Sequence, residues 1–109
     1  MGKLNGQVAI ITGGARGIGE GICKVFCNEG AMVALWDIMD EGQNTADRIK
    51  DEGGEIIFQN VNVSDQSSVD KAVEKLISEY GKIDILINNA GIISDRSFLK
   101  MSRNEWDRV

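Results

Sequence analysis

Glycines follow an apolar run near the start of the chain in a pattern suited to binding phosphate groups. Residues 8–11 are Val-Ala-Ile-Ile, and the next eight are Thr12-Gly13-Gly14-Ala15-Arg16-Gly17-Ile18-Gly19. Glycine permits a sharp turn at 13, a close approach to a diphosphate at 17, and close helix–sheet packing at 19. A helix beginning there offers free N–H groups and a positive dipole end to phosphates. We interpret the stretch as a dinucleotide-binding turn; the alternative is an ordinary tight strand–helix turn.

A carboxylate suited to ribose binding lies eighteen residues beyond Gly19. A second apolar run begins at Met32 and ends in Asp37. An acid at the tip of the second strand can accept hydrogen bonds from both hydroxyls of an adenosine ribose. The alternatives are a helix cap or a solvated loop acid, and the spacing favours the ribose role.

Two asparagines end another apolar run further along, in Asn88-Asn89-Ala90-Gly91. Their amides can bridge neighbouring strands and a cofactor, while the two small residues leave room for a ribose. An Asn-Gly turn explains this composition but not its position at the end of a predicted central strand.

The elements that must position these residues alternate between strands and helices. Strands are predicted over residues 8–11, 32–37, 55–62 and 83–88, and helices to about residue 29, over about 41–52, and from a Ser64 or Asp65 cap to Gly81. A further helix is predicted to begin at the capping box of residues 102–105. This alternation predicts an α/β fold, a Rossmann-type doubly wound parallel sheet of order 3-2-1-4, with the ligand at the carboxyl ends of the strands.

The helix patterns predict which side chains face the core. Ile22, Val25 and Phe26 recur on one side of the first helix, and Ala46 and Ile49 on one side of the second. For the third, the predicted core-facing residues are Val69, Ala72, Val73, Leu76 and Ile77.

Composition bounds the function classes. The chain has 109 residues, enough for one domain, and a net charge of −5 without a basic run, which argues against nucleic acid and anionic membranes as partners. No apolar stretch nears the roughly 20 residues of a membrane span and no signal-peptide pattern appears, so a soluble cytoplasmic protein is expected. Without histidine, His-dependent triads and His-containing zinc sites are excluded; a metal site of two thiols and carboxylates stays open, but nothing supports it and no metal site is expected. Cys23 and Cys27 are predicted to be reduced thiols in or near the core.

Together these motifs resemble the short-chain dehydrogenase/reductase family over nearly all 109 residues. Those that carry the resemblance are Thr12–Gly19, Asp37, Asn62-Val63-Ser64-Asp65 and Asn88–Gly91. The tail, Lys100-Met101 followed by Glu105-Trp106-Asp107, is similar to the 3-oxoacyl-(acyl carrier protein) reductase branch. The resemblance implies an oxidoreductase that moves hydride between a nicotinamide cofactor and a carbonyl or secondary alcohol.

The resemblance also implies which residues bind the cofactor. The turn would hold the pyrophosphate and adenosine side, Asn62 and Val63 the adenine, and residues 89–91 the ribose and nicotinamide side. Arg16 is typical of NADP-dependent members, whereas Asp37 would repel a 2′-phosphate, so NAD is expected rather than NADP. The implied cofactor-binding residues are Gly13, Gly14, Ala15, Arg16, Gly17, Ile18, Gly19, Asp37, Ile38, Asn62, Val63, Asn89, Ala90 and Gly91.

The family's catalytic Tyr-x-x-x-Lys pair, upstream serine and helix asparagine are absent from these 109 residues. Tyr80, the one tyrosine, precedes Gly81-Lys82-Ile83-Asp84 and is expected to pack or cap a helix. We therefore expect residues 1–109 to be a cofactor-binding amino-terminal half, inactive alone and without catalytic residues of its own. The outer edge of the fourth strand, with Ile85 and Ile87 nearby, is expected to be unpaired and to favour self-association.

Two other functions remain open. One is a non-catalytic dinucleotide-binding module, which a Tyr-x-x-x-Lys encoded beyond Val109 would argue against. The other is a flavodoxin-like or regulatory α/β domain without a dinucleotide, which would respond to NADH no more than to buffer.

Overall fold

A parallel four-stranded sheet organises the structure, a computed structural model that describes residues 2–89. The strand order is β3-β2-β1-β4, as predicted, and every neighbouring pair is parallel. Residues 90–109, which contain Ala90, Gly91, the predicted helix at 102 and the reductase-like tail, lie outside the described part. The elements are β1 (Val8–Thr12), α1 (Gly17–Asn28), β2 (Met32–Asp37), α2 (Glu41–Asp51), β3 (Glu55–Asn60), α3 (Gln66–Tyr80) and β4 (Ile85–Asn88).

Helices cover both faces of the sheet because successive side chains of each strand point to opposite sides. Ile10 packs on the α3 side, and its neighbour Ile11 packs on the side of α1 and α2; both are fully buried. The α3-side cluster contains Ile10, Ala34, Trp36, Val61, Val69, Ala72, Val73, Leu76 and Ile83. The α1/α2-side cluster contains Ile11, Cys23, Ala31, Val33, Leu35, Ala46, Ile49 and Ile56. This two-sided burial confirms the doubly wound fold and the predicted inner faces of α2 and α3.

Helix ends follow the cap residues of the sequence. Asp65 begins α3, since its side chain accepts the N–H of Ser67, which decides between the two predicted caps. Gly81 ends α3 in the left-handed conformation, with φ of 80°. Beyond α1, Gly30 has φ of 92°, which fits the predicted stop.

Two strands are shorter than predicted, and side-chain hydrogen bonds are present just beyond the shortened ends. β3 ends at Asn60 rather than at residue 62, where the Asn62 side chain accepts the Ser64 N–H at 3.0 Å and forms a local turn. β4 begins at Ile85 rather than at residue 83; before it, Asp84 donates its N–H to the Val8 carbonyl at 2.8 Å and its carboxylate accepts the N–H of Val8 at 2.8 Å.

One prediction about α1 is wrong. Val25 is 58% exposed, although Ile22 and Phe26 pack against the α1/α2-side cluster as predicted. The buried face of α1 contains Cys23, and a residue two positions further lies about 200° around the helix. Val25 therefore faces away from the sheet.

Both cysteines carry free thiols and pack as predicted, Cys23 in the core and Cys27 partly buried. Burial raises the pKa of the Cys23 thiol to about 12 and that of Cys27 to about 11. Both thiols are therefore protonated, and weak nucleophiles, at neutral pH. Within residues 2–89 no helix is long and apolar enough to cross a membrane.

Candidate functional site

The turn between β1 and α1 depends on two glycines with positive φ. Gly13 has φ of 66° and donates its N–H to the Trp36 carbonyl at 2.8 Å, which ties the turn to β2. Gly17 has φ of 62°, and a Cβ built there would meet open space. The backbone at Gly17 is thus exposed, with open space on the side where a Cβ would lie.

Gly19 brings α1 into contact with the turn. A Cβ at this position would lie 1.9 Å from the Gly13 carbonyl oxygen and 2.8 Å from Nδ2 of Asn89. No side chain fits there, so the helix begins directly against the turn. Gly14 is constrained similarly, because its Cβ would lie 2.8 Å from Cγ of Leu35.

The amino end of α1 is open. Its N-cap, Arg16, has extended backbone and makes no side-chain capping hydrogen bond. Arg16, Gly17 and Ile18 are all exposed, Ile18 by 77%. The N–H groups of the first turn have no intrahelical acceptors and can therefore serve an anion.

Asp37 ends β2 with both carboxylate oxygens held by backbone. Oδ2 accepts the Ala15 N–H at 3.1 Å, and Oδ1 accepts the Met39 N–H at 3.0 Å. A carboxylate has about four lone-pair positions, so each oxygen keeps one for a further donor. The structure thereby places the predicted acid directly against the predicted turn, in a fixed orientation.

A cleft of about 170 Å³ opens beside this carboxylate. Both Ile38, which is 65% exposed, and Trp36, which is fully buried, line this cleft. It is lined by Gly13, Trp36, Asp37, Ile38, Val61, Asn62 and Val63. A larger groove of about 340 Å³ between β3 and α3 contains none of the predicted cofactor-binding residues. The cleft unites three stretches far apart in the chain.

Asn62 is fixed by its own turn. Its Oδ1 accepts from both the N–H and the hydroxyl of Ser64, and its N–H donates to Oγ of Ser68 at 3.0 Å. The turn holds Asn62 and Val63 at the mouth of the cleft.

Asn89 connects β4 to the turn. Its N–H donates to the Thr12 hydroxyl at 3.0 Å, and its side-chain Nδ2 donates to the Gly13 carbonyl at 3.2 Å. The Thr12 hydroxyl lies 3.1 Å from Oδ1 of Asn88. The predicted bridging by asparagine amides is therefore present between strands, while Ala90 and Gly91 lie outside the described residues.

Two supporting residues were not predicted. Thr45 on α2 is fully buried, and its hydroxyl donates to the Ala15 carbonyl within the turn. Gln59 accepts the Trp36 indole N–H at 2.7 Å and donates to the Ala72 carbonyl at 3.2 Å. Each is a polar residue at a core-facing position, which is the signal that could have identified it.

The cleft is lined by groups of the kind that suit a nucleotide, and Tyr80 is not among the residues that line it. Tyr80 packs against the α3-side cluster as predicted, and its pKa is raised, first by burial and then by the nearby carboxylates of Glu79 and Glu55. A tyrosine that exchanges protons near neutral pH needs a lowered pKa instead. Residues 2–89 also contain no group of three or more metal-ligating side chains.

Comparison with known proteins agrees with this geometry. The chain is 43% identical over 107 residues to the 3-oxoacyl-(acyl-carrier-protein) reductase FabG of Chlamydia pneumoniae, a match that covers 97% of this chain and 43% of that protein. It is 44% identical over 107 residues to the oxidoreductase UcpA of Salmonella typhimurium, covering 98% and 41%. The crystal structure of a hydroxysteroid dehydrogenase from Escherichia coli superposes with a TM-score of 0.81 at 30% identity, covering 94% of this chain and 52% of that one.

The chain thus spans less than half the length of the curated relatives it matches. Residues 7–109 match the family model described as short chain dehydrogenase. The chain belongs to the short-chain dehydrogenase/reductase family, whose members are oxidoreductases.

Proposed function

We propose that residues 1–109 form the NAD(H)-binding half of an oxidoreductase that interconverts a carbonyl and a secondary alcohol. The bound nicotinamide would supply or accept the hydride. The likeness to 3-oxoacyl-(acyl-carrier-protein) reductases supports an acyl-carrier or other small carbonyl substrate for the full-length protein. We further propose that the protein is cytoplasmic.

The observation that carries this proposal is the orientation of the Asp37 carboxylate. Each oxygen is held by one backbone N–H and keeps a lone pair, which matches the two hydroxyls of an adenosine ribose. The 2′-phosphate of NADP would meet this fixed negative charge instead. The carboxylate therefore favours NAD over NADP, even though Arg16 is nearby in the turn.

The rest of the site fits the other parts of the cofactor. The exposed N–H groups at the start of α1 suit the pyrophosphate, and the open side of Gly17 leaves space for it. The cleft between Ile38, Asn62 and Val63 suits the adenine ring. Asn89, with Ala90 and Gly91 after it, is assigned to the ribose and nicotinamide side. The site residues proposed are those that the family resemblance implies.

Binding without turnover is expected of residues 1–109. The chain has one tyrosine, without a lysine four positions later. Because the Tyr-x-x-x-Lys pair that the family resemblance implies does not occur in residues 1–109, we assign catalysis to residues outside them.

Titration with NADH and NADPH tests the proposal. Trp36 lines the cleft, so energy transfer from its indole to the reduced nicotinamide reports binding. The Trp106→Phe variant, with Trp36 as its one tryptophan, assigns the signal. We expect saturable quenching by NADH at a concentration at least about tenfold lower than by NADPH, a difference of about 1.4 kcal/mol.

Other outcomes would redirect the proposal. Equal affinity for both cofactors would remove the assigned role of Asp37. No quenching by either would show that residues 1–109 do not bind a dinucleotide on their own.

A further inference from the structure

A buried hydroxyl on α2 holds the backbone of the glycine turn. Thr45 and Ala15 are both fully buried, and the Thr45 hydroxyl donates to the Ala15 carbonyl. The two residues are thirty positions apart, on separate elements. A buried carbonyl without a partner is costly, so this contact favours one orientation of the turn.

The direction of this hydrogen bond is fixed by a third residue. Nη2 of Arg48 lies 3.3 Å from the Thr45 hydroxyl oxygen and 3.2 Å from a carboxylate oxygen of Glu20. A guanidinium group can only donate, and a carbonyl can only accept. The hydroxyl must therefore accept from Arg48 and donate to Ala15, with its donor strength increased by the adjacent positive charge.

Fixing the Ala15 carbonyl also fixes the next N–H group. In a planar trans peptide the carbonyl and the following N–H point in opposite directions. Since the carbonyl of Ala15 points to α2, the N–H of Arg16 points away from α2. The N–H of Ala15 is held separately, by Oδ2 of Asp37 at 3.1 Å. Two consecutive peptide groups are thus oriented from two sides.

We propose that Thr45 is a positioning residue for cofactor binding: its hydroxyl holds residues 15 and 16 in the orientation that receives the phosphates. The proposal rests on the proposed function, because it concerns the same turn. It adds that affinity for the phosphates depends on a side chain of α2 that does not itself contact the cofactor.

Two substitutions at one position separate the hydroxyl from the volume of the side chain. Thr45→Val keeps the shape and removes the hydrogen bond, whereas Thr45→Ser keeps the hydroxyl. We expect Thr45→Val to raise the dissociation constant of ADP about tenfold, and Thr45→Ser to leave it within about twofold. Adenosine, which lacks the phosphates, should be affected less than about threefold by either substitution.

A remote variant controls for general loss of stability. Val73→Ala removes buried volume from α3, on the opposite face of the sheet from α2. We expect it to lower the free energy of unfolding without changing ADP affinity. An equal loss of ADP affinity in this variant would mean that destabilisation alone explains the effect, and would overturn the positioning role.

Amide hydrogen exchange without ligand gives a second readout. Thr45→Val should speed exchange at the Ala15 amide, whose N–H is held by Asp37, more than at other amides, and Thr45→Ser should keep that exchange slow. Unchanged exchange and unchanged ADP affinity in Thr45→Val would overturn the inference. If the wild-type chain binds neither ADP nor NADH, the proposed function fails, while exchange at the Ala15 amide still decides whether Thr45 orders the turn.

Discussion

The carboxylate of Asp37 combines a structural role with the proposed selection of the cofactor. Replacing it by Asn removes the charge and leaves one oxygen to accept where two accepted backbone N–H groups. We expect Asp37→Asn to weaken NADH binding about tenfold and NADPH binding less, so that their affinities converge. Fluorescence titration measures both. Asp40→Asn, an exposed change of the same charge three residues later, should leave the ratio unchanged; an unchanged ratio in Asp37→Asn would contradict the role.

The cysteine thiols predict how stability depends on alkaline pH. Burial raises the pKa of Cys23 from 9.0 to about 12 in the folded chain. Between these values the unfolded state holds fewer protons, so the free energy of unfolding falls as pH rises and is unaffected below about 9. Urea unfolding at about pH 8 and about pH 10.5 should show this fall. The Cys23→Ala variant should have a lower free energy of unfolding at about pH 8, but that free energy should decrease less between the two pH values than in the wild-type chain. An equal decrease in both proteins would argue against the buried thiol as the cause.

At the scale of single residues, the sequence predicted where site residues lie in the fold better than it predicted their hydrogen-bond partners. The distance from Gly19 to Asp37 was enough to place the acid at the end of β2. Its bond to the Ala15 N–H was not predictable, since it depends on the relative height of two strands in the sheet. The bond from Thr45 to Ala15 was missed for a similar reason: a threonine beside Ala46 on a helix reads as a core-facing residue, and nothing in the sequence identifies the carbonyl it meets.

The contact between α1 and the turn can be tested with two glycines of the same helix. A Cβ at Gly19 would collide with the Gly13 carbonyl, whereas a Cβ at Gly21 would meet open space. We expect Gly19→Ala to destabilise the fold by about 1–3 kcal/mol and to abolish NADH binding. Gly21→Ala should be neutral or stabilising by up to about 1 kcal/mol, with binding unchanged. Urea unfolding and titration measure both; tolerance of Gly19→Ala would refute the close approach.

At the scale of elements, hydrophobic periodicity predicted the order of strands and helices and the bounds of β2. It overestimated β3 and β4, because apolar residues such as Val61 and Ile83 are buried in the core without belonging to a strand. It also placed Val25 inward, because Ile22, Val25 and Phe26 fit one helical face. In the structure Ile22 and Phe26 pack against the core, whereas Val25 at the edge of that face is exposed.

For the whole molecule, we predict that the edge of β4 favours self-association. Among residues 2–89, β4 pairs with β1 along one edge and with no strand along the other. Unpaired backbone groups at an edge favour pairing with a second chain. We expect the average mass in sedimentation equilibrium to exceed that of one chain and to rise with concentration. Ile85→Lys should reduce this rise while thermal unfolding stays cooperative; a single-chain mass at every concentration would contradict the prediction.

The connections of β4 also have a consequence for synthesis on the ribosome. The glycine turn emerges first, yet Thr12 and Gly13 receive hydrogen bonds from Asn89, 77 and 76 residues later. The N–H of Val8 likewise has its acceptor, the carboxylate of Asp84, only 76 residues later in the chain. A nascent chain shorter than about ninety residues therefore carries the complete phosphate-binding motif without the hydrogen bonds from Asn89 that complete its support. Competence to bind the cofactor should arise late and abruptly during translation, when Asn89 leaves the exit tunnel.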